Sequence, residues 1–107
     1  MRMKTKGWAA LNLHDAIVRT VRIIRCNYIS EDVIVCLDCA ASMAKIKKLR
    51  LIGCTKLEMD AIEGCWWMGE TICFEDNSVV LDAWLKDEKD EERKLRAICQ
   101  QISAEDI

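Results

Sequence analysis

His14 is the only histidine of the chain, and the carboxylate of the adjacent Asp15 could orient it as a general base. With seven cysteines present, a cysteine–histidine pair would be the accompanying chemistry. Adjacent residues rarely form a well-oriented pair, and no spacing selects one thiol as the nucleophile. We therefore predict no catalytic residue and place His14 in a turn or cap before the first strand. A small cytoplasmic enzyme that uses His14 with a cysteine is the alternative.

Cys36 and Cys39 form the one CxxC motif of the chain. A redox pair of this kind needs its first thiol at a helix N-terminus, whereas Cys36 falls inside a predicted strand, where residues three apart point to opposite faces. A four-ligand zinc site is also poorly supported, because the chain has a single CxxC and a single histidine. We expect no metal and no cofactor, and we expect the thiols to pack as small apolar side chains.

Trp66, Trp67 and Met68 are the predicted partner-binding residues. In a strand the two indoles point to opposite faces, so only one of them can join a single core. The other must be covered by a further element or exposed to a partner. The sequence does not decide which indole is exposed. A second copy of the chain, in a homodimer, is one partner that such a surface would fit.

A basic stretch covers residues 45–56 and could contact phosphates. It contains no aromatic residue on which a base could stack, and lysines on a strand also discourage edge-to-edge aggregation. A solvated strand is therefore the favoured interpretation, and a nucleic-acid-binding module is a further alternative. The basic residues are Lys45, Lys47, Lys48, Arg50 and Lys56.

The charge is unevenly distributed along the chain. Residues 1–56 carry eleven Lys or Arg against four Asp or Glu, and residues 57–107 carry five against fourteen, although the net charge is only −2. If the two halves interleave in a sheet, cross-strand ion pairs use most of this charge. If they separate, the acidic half could face a basic partner.

Five strands are predicted to position these residues. Ile17–Cys26 and Val33–Cys39 are apolar runs on either side of a polar turn, which favours a hairpin. Residues 47–53 alternate as a third strand. Residues 55–63 match both a helical capping box and a strand alternation, and we prefer the strand, as a continuation of the third strand past a bulge at Gly53. The last two strands are residues 66–74 and 78–85, joined by a tight turn.

In the C-terminal segment the apolar residues recur with a different spacing. From Glu88 onward, Leu95, Ile98, Cys99 and Ile102 fall at helical spacing, and an acidic run at the start would suit a helix N-terminus. The prediction is an α+β domain, in which an antiparallel sheet of about five strands is covered by one amphipathic C-terminal helix.

The 107 residues, with 51% apolar and 32% charged side chains, predict a single globular domain over residues 1–107. Arg2, Lys4 and Lys6 imitate the basic start of an export signal, but the apolar stretch that follows is short and contains Asn12. No apolar run approaches the roughly 20 residues of a membrane helix. We therefore expect a soluble cytoplasmic protein with free thiols and no membrane contact.

The order of these elements resembles a group of small bacterial proteins. The resemblance lies in Leu13-His14-Asp15-Ala16, an arginine-bearing strand, a second apolar strand, and then residues 49–54 followed by Leu57 and Met59. One branch of the group consists of immunity proteins that neutralise polymorphic toxins. The resemblance, over roughly residues 11–74, implies a small sheet-rich domain with an all-strand ending and no catalytic motif, and it transfers no functional residue. Because no acid–base or nucleophile constellation of defined spacing can be assembled, the sequence favours a non-enzymatic binding protein of an immunity-like kind.

Overall fold

Eight antiparallel strands form one sheet, as seen in a computed structural model that describes residue 11, residues 13–42 and residues 46–106. No helix is present in these residues, so the predicted α+β class with about five strands is wrong. The strand order in the sheet is β4-β7-β6-β5-β1-β2-β3-β8. The strands are β1 (Ile17–Arg25), β2 (Glu31–Asp38), β3 (Ile46–Cys54), β4 (Lys56–Met59), β5 (Trp66–Glu75), β6 (Ser78–Lys86), β7 (Glu92–Cys99) and β8 (Gln101–Asp106).

Both predicted hairpins are present. The turn between β1 and β2 is built on Asn27, whose Oδ1 accepts the backbone N–H groups of Ile29 and Ser30, each at 2.9 Å. Asp76 and Asn77 connect β5 to β6 with φ angles of 46° and 66°. Two left-handed residues in succession match the right-handed twist of the flanking strands, and Asp and Asn tolerate that conformation.

Two long bent strands fold the sheet over on itself. Only Thr55 separates β3 from β4, and only Gln100 separates β7 from β8. The Thr55 N–H donates to the Ile98 carbonyl and the Gln100 N–H to the Ile52 carbonyl, each at 2.9 Å. The bend contains Gly53 at a φ of 66°, in agreement with the predicted bulge. Because β4 and β8 lie at opposite ends of the strand order, this bend brings the two ends of the sheet together.

The predicted C-terminal helix is replaced by β7 and β8. Leu95, Ala97 and Cys99 are buried at alternate positions, as a strand requires. The exposed Gln100 at the bend then shifts the alternation by one residue, and Ile102 is the next buried side chain. This phase shift makes the apolar spacing imitate a helix. The acidic run forms the turn before β7 and the start of that strand.

The core lies between the inward faces of the folded sheet, and its largest fully buried side chain is Trp67. Cys54, Cys65 and Cys99 are buried in it, whereas Cys26 and Cys73 are exposed. All seven cysteines are free thiols. Residues 55–63 contain the short strand β4 at 56–59, as predicted. Residues 40–42 form a turn after β2, and residues 43–45 lie outside the described residues.

Within the described ranges, no helix has the length and apolar character that crossing a membrane requires.

Candidate protein-binding face

One outward face of the sheet carries two exposed tryptophans. Cross-strand pairing aligns its side chains in three rows, because directly paired residues of neighbouring strands point to the same side. We call this surface the tryptophan face. Its rows are Trp66–Lys86–Glu92, Gly69–Trp84–Lys94 and Thr71–Asp82–Arg96–Glu58.

Trp84 lies at the centre of this face and is 41% exposed. Its indole folds across β5 and covers Gly69, since a Cβ built on that glycine would lie 2.5 Å from Cζ2 of Trp84. The glycine therefore makes room for the ring to lie against the sheet. The opposite side of the ring is presented to solvent, where it could contact a partner.

The three predicted partner-binding residues occupy different environments. Trp66 is 37% exposed and belongs to the tryptophan face, whereas Trp67 is fully buried and its Nε1 donates to Oε1 of Glu70 at 2.9 Å. Met68 is half-buried and lies at a shift of register between β5 and β6. This bulge places Gly69 on the same side as Trp66. Of the two neighbouring indoles, Trp66 is therefore the one available to a partner.

Sequence reasoning missed Trp84, although the strand that carries it contains a clear signal. Val79, Leu81, Ala83 and Leu85 alternate along β6, and all four are buried. Trp84 falls on the opposite, polar face of this strand, between Asp82 and Lys86. When an alternating strand carries an aromatic side chain among the polar residues of one face, that ring is expected to be exposed.

A groove of about 520 Å³ runs beside Trp84, over β4, β6 and β7. It contains four carboxylates and two cationic side chains, so its net charge is negative. Asp82 is paired with Arg96 at 3.5 Å, and Oδ2 of Asp60 accepts the Lys94 backbone N–H at 2.8 Å. The carboxylates are Glu58, Asp60, Asp82 and Glu92, and the cations are Lys94 and Arg96.

A second groove, of about 360 Å³, lies beside Trp66. Its apolar wall is Trp66 and Met68, and it is even more acidic than the first. Lys86 is its one cationic side chain and is paired with Asp90 at 3.2 Å. The carboxylates that line it are Asp15, Asp87, Glu88 and Asp90.

Asp87 holds the acidic turn of the second groove in place. Its Oδ1 accepts the backbone N–H groups of Glu91 and Lys89 at 3.0 and 2.8 Å, and its Oδ2 accepts an N–H of Arg93 at 2.9 Å. These bonds, the one from the Glu91 backbone first, lower the pKa of the Asp87 carboxyl below its ordinary value. The groove therefore keeps this negative charge at neutral pH.

His14 lies in an exposed turn, with 61% of its side chain accessible, and its Nδ1 is 3.1 Å from Oδ2 of Asp15. The backbone N–H of Asp15 donates to the Trp67 carbonyl at 2.8 Å, which ties the turn to β5. The turn expected before the first strand is thus observed. Several cysteine thiols of the described residues donate to backbone carbonyls, as Cys39 does to Ile46 and Cys99 to Val79, and these bonds do not involve His14. The alternative, in which His14 acts as a general base, stays a hypothesis.

No group of three or more His, Cys, Asp or Glu side chains within the described ranges is arranged to hold a metal ion.

The basic stretch lies on β3, the bend and the start of β4, where acidic side chains accompany it. Arg50 is 3.6 Å from Glu105 of β8, and Lys56 is 3.9 Å from Glu58. Register also places Glu105 opposite Lys48. These contacts reduce the charge that the stretch could offer to phosphates. Lys45 lies outside the described residues.

The two halves of the chain separate in the sheet, apart from β8. Strands β1 to β3 are neighbours on one side, and β4 to β7 form the other side. Residues 56–99, which form that second side, contain twelve carboxylates and six cationic side chains. The acidic character of the second half is therefore concentrated on the part of the sheet that carries the tryptophan face.

Comparisons of the chain with protein-family models, with curated proteins and with solved structures find no match in any of the three.

Proposed function

We propose that this chain is a non-enzymatic binding protein that recognises a basic surface of a protein partner through the tryptophan face. The observation that carries the proposal is the placement of Trp66 and Trp84 on one sheet face, each beside a groove with a surplus of carboxylates. Exposed tryptophans are the side chains most enriched among the residues that dominate protein–protein affinity. The indoles supply apolar contact area, and the grooves supply charge.

The charge of the grooves favours lysine and arginine side chains on the partner. A guanidinium group could pair with Glu58 or Glu92 while stacking on the exposed ring of Trp84. Exposed carboxylates around such a contact mainly accelerate association, and salt screens their effect. Binding is therefore expected to weaken as the ionic strength rises.

The negative charge of the two grooves favours a different protein as the partner over a second copy of this chain. In a symmetric dimer the tryptophan face would meet itself, and its two acidic grooves would face like charges. Like charges brought together at an interface cost free energy, so we propose a heterologous partner. A homodimer remains a measurable outcome.

The resemblance to immunity proteins supplies a finer proposal, in which the basic partner is a protein toxin. The strands β7 and β8 support it, because an all-strand ending is what that group of proteins leads one to expect. A cytoplasmic location belongs to the same proposal and is supported by the seven free thiols.

Affinity capture from extracts of the cells that make this protein tests the proposal. The full chain is compared with Trp66→Ala, Trp84→Ala and Tyr28→Ala, the last removing an exposed aromatic from the β1–β2 turn. We expect a basic protein that is retained by the wild type and by Tyr28→Ala and is lost from both tryptophan variants. Equal retention by all four proteins would refute the proposal. Light scattering of the purified chain should give the monomer mass, and a dimer lost on Trp84→Ala would point to self-association instead.

A further inference from the structure

Cys54 and Cys99 lie on the two bent strands, where the sheet bends. The β3–β8 ladder ends at Ile52 and Gln101, and the β4–β7 ladder begins at Lys56 and Ile98, so both cysteines fall in the short interval between the two ladders. Backbone hydrogen bonds from Thr55 to Ile98 and from Gln100 to Ile52 hold the two bent strands together on either side of the pair. Facing residues of neighbouring antiparallel strands have Cα separations within the range that a disulfide spans, and the two flanking bonds keep Cys54 and Cys99 on such neighbouring segments.

The two sulfurs are in contact in the core. Each residue is 2% exposed, and the Cys54 thiol lies 3.5 Å from the Leu51 carbonyl and the Cys99 thiol 3.7 Å from the Val79 carbonyl. The two thiols also interact with each other through a side-chain hydrogen bond. This bond raises the pKa of Cys54 and lowers the pKa of Cys99, whose sulfur also accepts the backbone N–H of Gln101. The Cys99 sulfur is therefore the better nucleophile of the two, with the Cys54 thiol directly beside it.

We propose that Cys54 and Cys99 are a modification site at which a hydroperoxide closes a disulfide between the two bent strands. The Cys99 thiolate attacks the terminal peroxide oxygen, the O–O bond breaks, and the remaining oxygen leaves as an alcohol or, from hydrogen peroxide, as water. The sulfenic acid formed on Cys99 is then attacked by the Cys54 sulfur, which forms the S–S bond and releases water. The two sulfurs together lose two electrons to the peroxide, and the two thiol protons end in the products.

The crosslink would fasten the bend that folds the sheet. It would close a covalent loop over residues 54–99, which includes β4, β5, β6 and β7. A loop of that length removes substantial conformational entropy from the unfolded chain, so the oxidised protein is expected to melt about 10 °C or more above the reduced one. A small oxidant is specified because both sulfurs are buried.

Peptide mapping after treatment of the full chain with hydrogen peroxide tests this assignment. Trypsin cleaves after Arg50, Lys56 and Arg96, so residues 51–56 and 97–107 are released as peptides with one cysteine each. After alkylation of free thiols, we expect these two peptides to be linked, with the loss of two hydrogen atoms, and to separate on treatment with dithiothreitol. Separate recovery of both peptides at a peroxide dose that oxidises the exposed Cys73 would overturn the assignment.

Two variants make the result specific. Cys65→Ser changes another buried thiol, whose sulfur is 3.9 Å from the Ala61 carbonyl, and it should leave the 54–99 link unchanged. Cys99→Ser should abolish the link and leave Cys54 reduced at the same dose, because the attacking sulfur is gone. Oxidation of Cys54 that proceeds equally in Cys99→Ser would contradict the proposal. A linked protein that melts no higher than the reduced one would contradict the stabilising role.

Discussion

Trp67 and Trp84 have opposite environments because the alternation of their strands turns one ring inward and the other outward. Trp67 is fully buried, and its one polar atom is satisfied by Glu70. Trp84 covers a glycine on the outside of the sheet and keeps one side of its ring accessible. At the scale of the residue, the first side chain stabilises the fold and the second is free to bind.

Replacement of these two tryptophans by alanine should therefore affect stability unequally. Trp67→Ala leaves a cavity in the core and is expected to lower the free energy of unfolding by about 3–5 kcal/mol. Trp84→Ala should lower it by only about 1–2 kcal/mol, because Trp84 is already 41% exposed to solvent and lies outside the core. Urea unfolding of the two variants measures both values. Equal losses would contradict the separation of roles.

Gly69→Ala should displace the Trp84 ring without unfolding the protein. The added methyl group would lie 2.5 Å from Cζ2, and the exposed ring can move away from it into solvent. We expect increased quenching of tryptophan fluorescence by acrylamide and a loss of stability of about 1–2 kcal/mol. In a Trp84→Ala background the same substitution should cost less, because the clash is absent. An identical cost in both backgrounds would show that the ring does not occupy this position.

Asp87→Asn should destabilise the protein in a pH-dependent manner. The folded-state pKa of this carboxyl is lowered, mainly by the Glu91 backbone N–H and then by Arg93. Its contribution to stability is therefore fully present above the unfolded-state pKa of about 3.9 and is lost as the pH falls through the lower folded-state value. The melting temperature of the variant should be lower than that of the wild type at pH 7, and the difference should shrink below about pH 4. A difference that is constant with pH would contradict this role.

At the scale of the element, local patterns predicted the hairpins, and long-range pairing determined the rest. The β1–β2 and β5–β6 hairpins follow from apolar runs on either side of turn residues such as Asn27 and Asn77. The strands β7 and β8 could not be recognised in the same way, because the bend at Gln100 shifts the alternation. Leu95 and Ile102 are both buried, although a regular strand would place them on opposite faces.

The candidate site was only partly predictable from the sequence, because part of it depends on pairing between strands that are distant in the chain. Trp66 could be named from the sequence, and Trp84 could have been found from the alternation of β6. The grooves beside them depend on pairing between β4, β6 and β7, which are separated in the chain and joined in the sheet. No local pattern indicates that Glu58 and Glu92 line one groove with Trp84.

Gly53 marks the bend, and its replacement tests how the bend is formed. Gly53 and Gly64 both have positive φ angles, of 66° and 83°. Gly64→Ala should cost about 1–2 kcal/mol from backbone strain alone, because no atom lies within 4 Å of the added methyl group. Gly53→Ala should cost more, because its methyl group would also lie 3.0 Å from the Gln100 side chain. Thermal unfolding of both variants measures the difference, and a larger loss for Gly64→Ala would contradict this description of the bend.

At the scale of the whole molecule, the net charge of −2 conceals a separation of basic and acidic residues between the two halves of the chain. The strands of the basic half lie together, and most of the acidic half forms the other side of the sheet. Only β8 crosses to the basic side, where Glu105 pairs with Arg50. An acidic surface with two exposed indoles should attract a basic protein from a distance and hold it by contact.

The most direct test of this central claim is the dissociation constant of the captured partner for the wild type and for Trp84→Ala, with Tyr28→Ala as the matched exposed-aromatic control. A tryptophan at the centre of an interface contributes about 2 kcal/mol or more, so Trp84→Ala should weaken binding by about 30-fold or more. Tyr28→Ala should bind as the wild type does, and wild-type affinity should fall as salt is raised. Unchanged affinity of a folded Trp84→Ala protein would contradict the account.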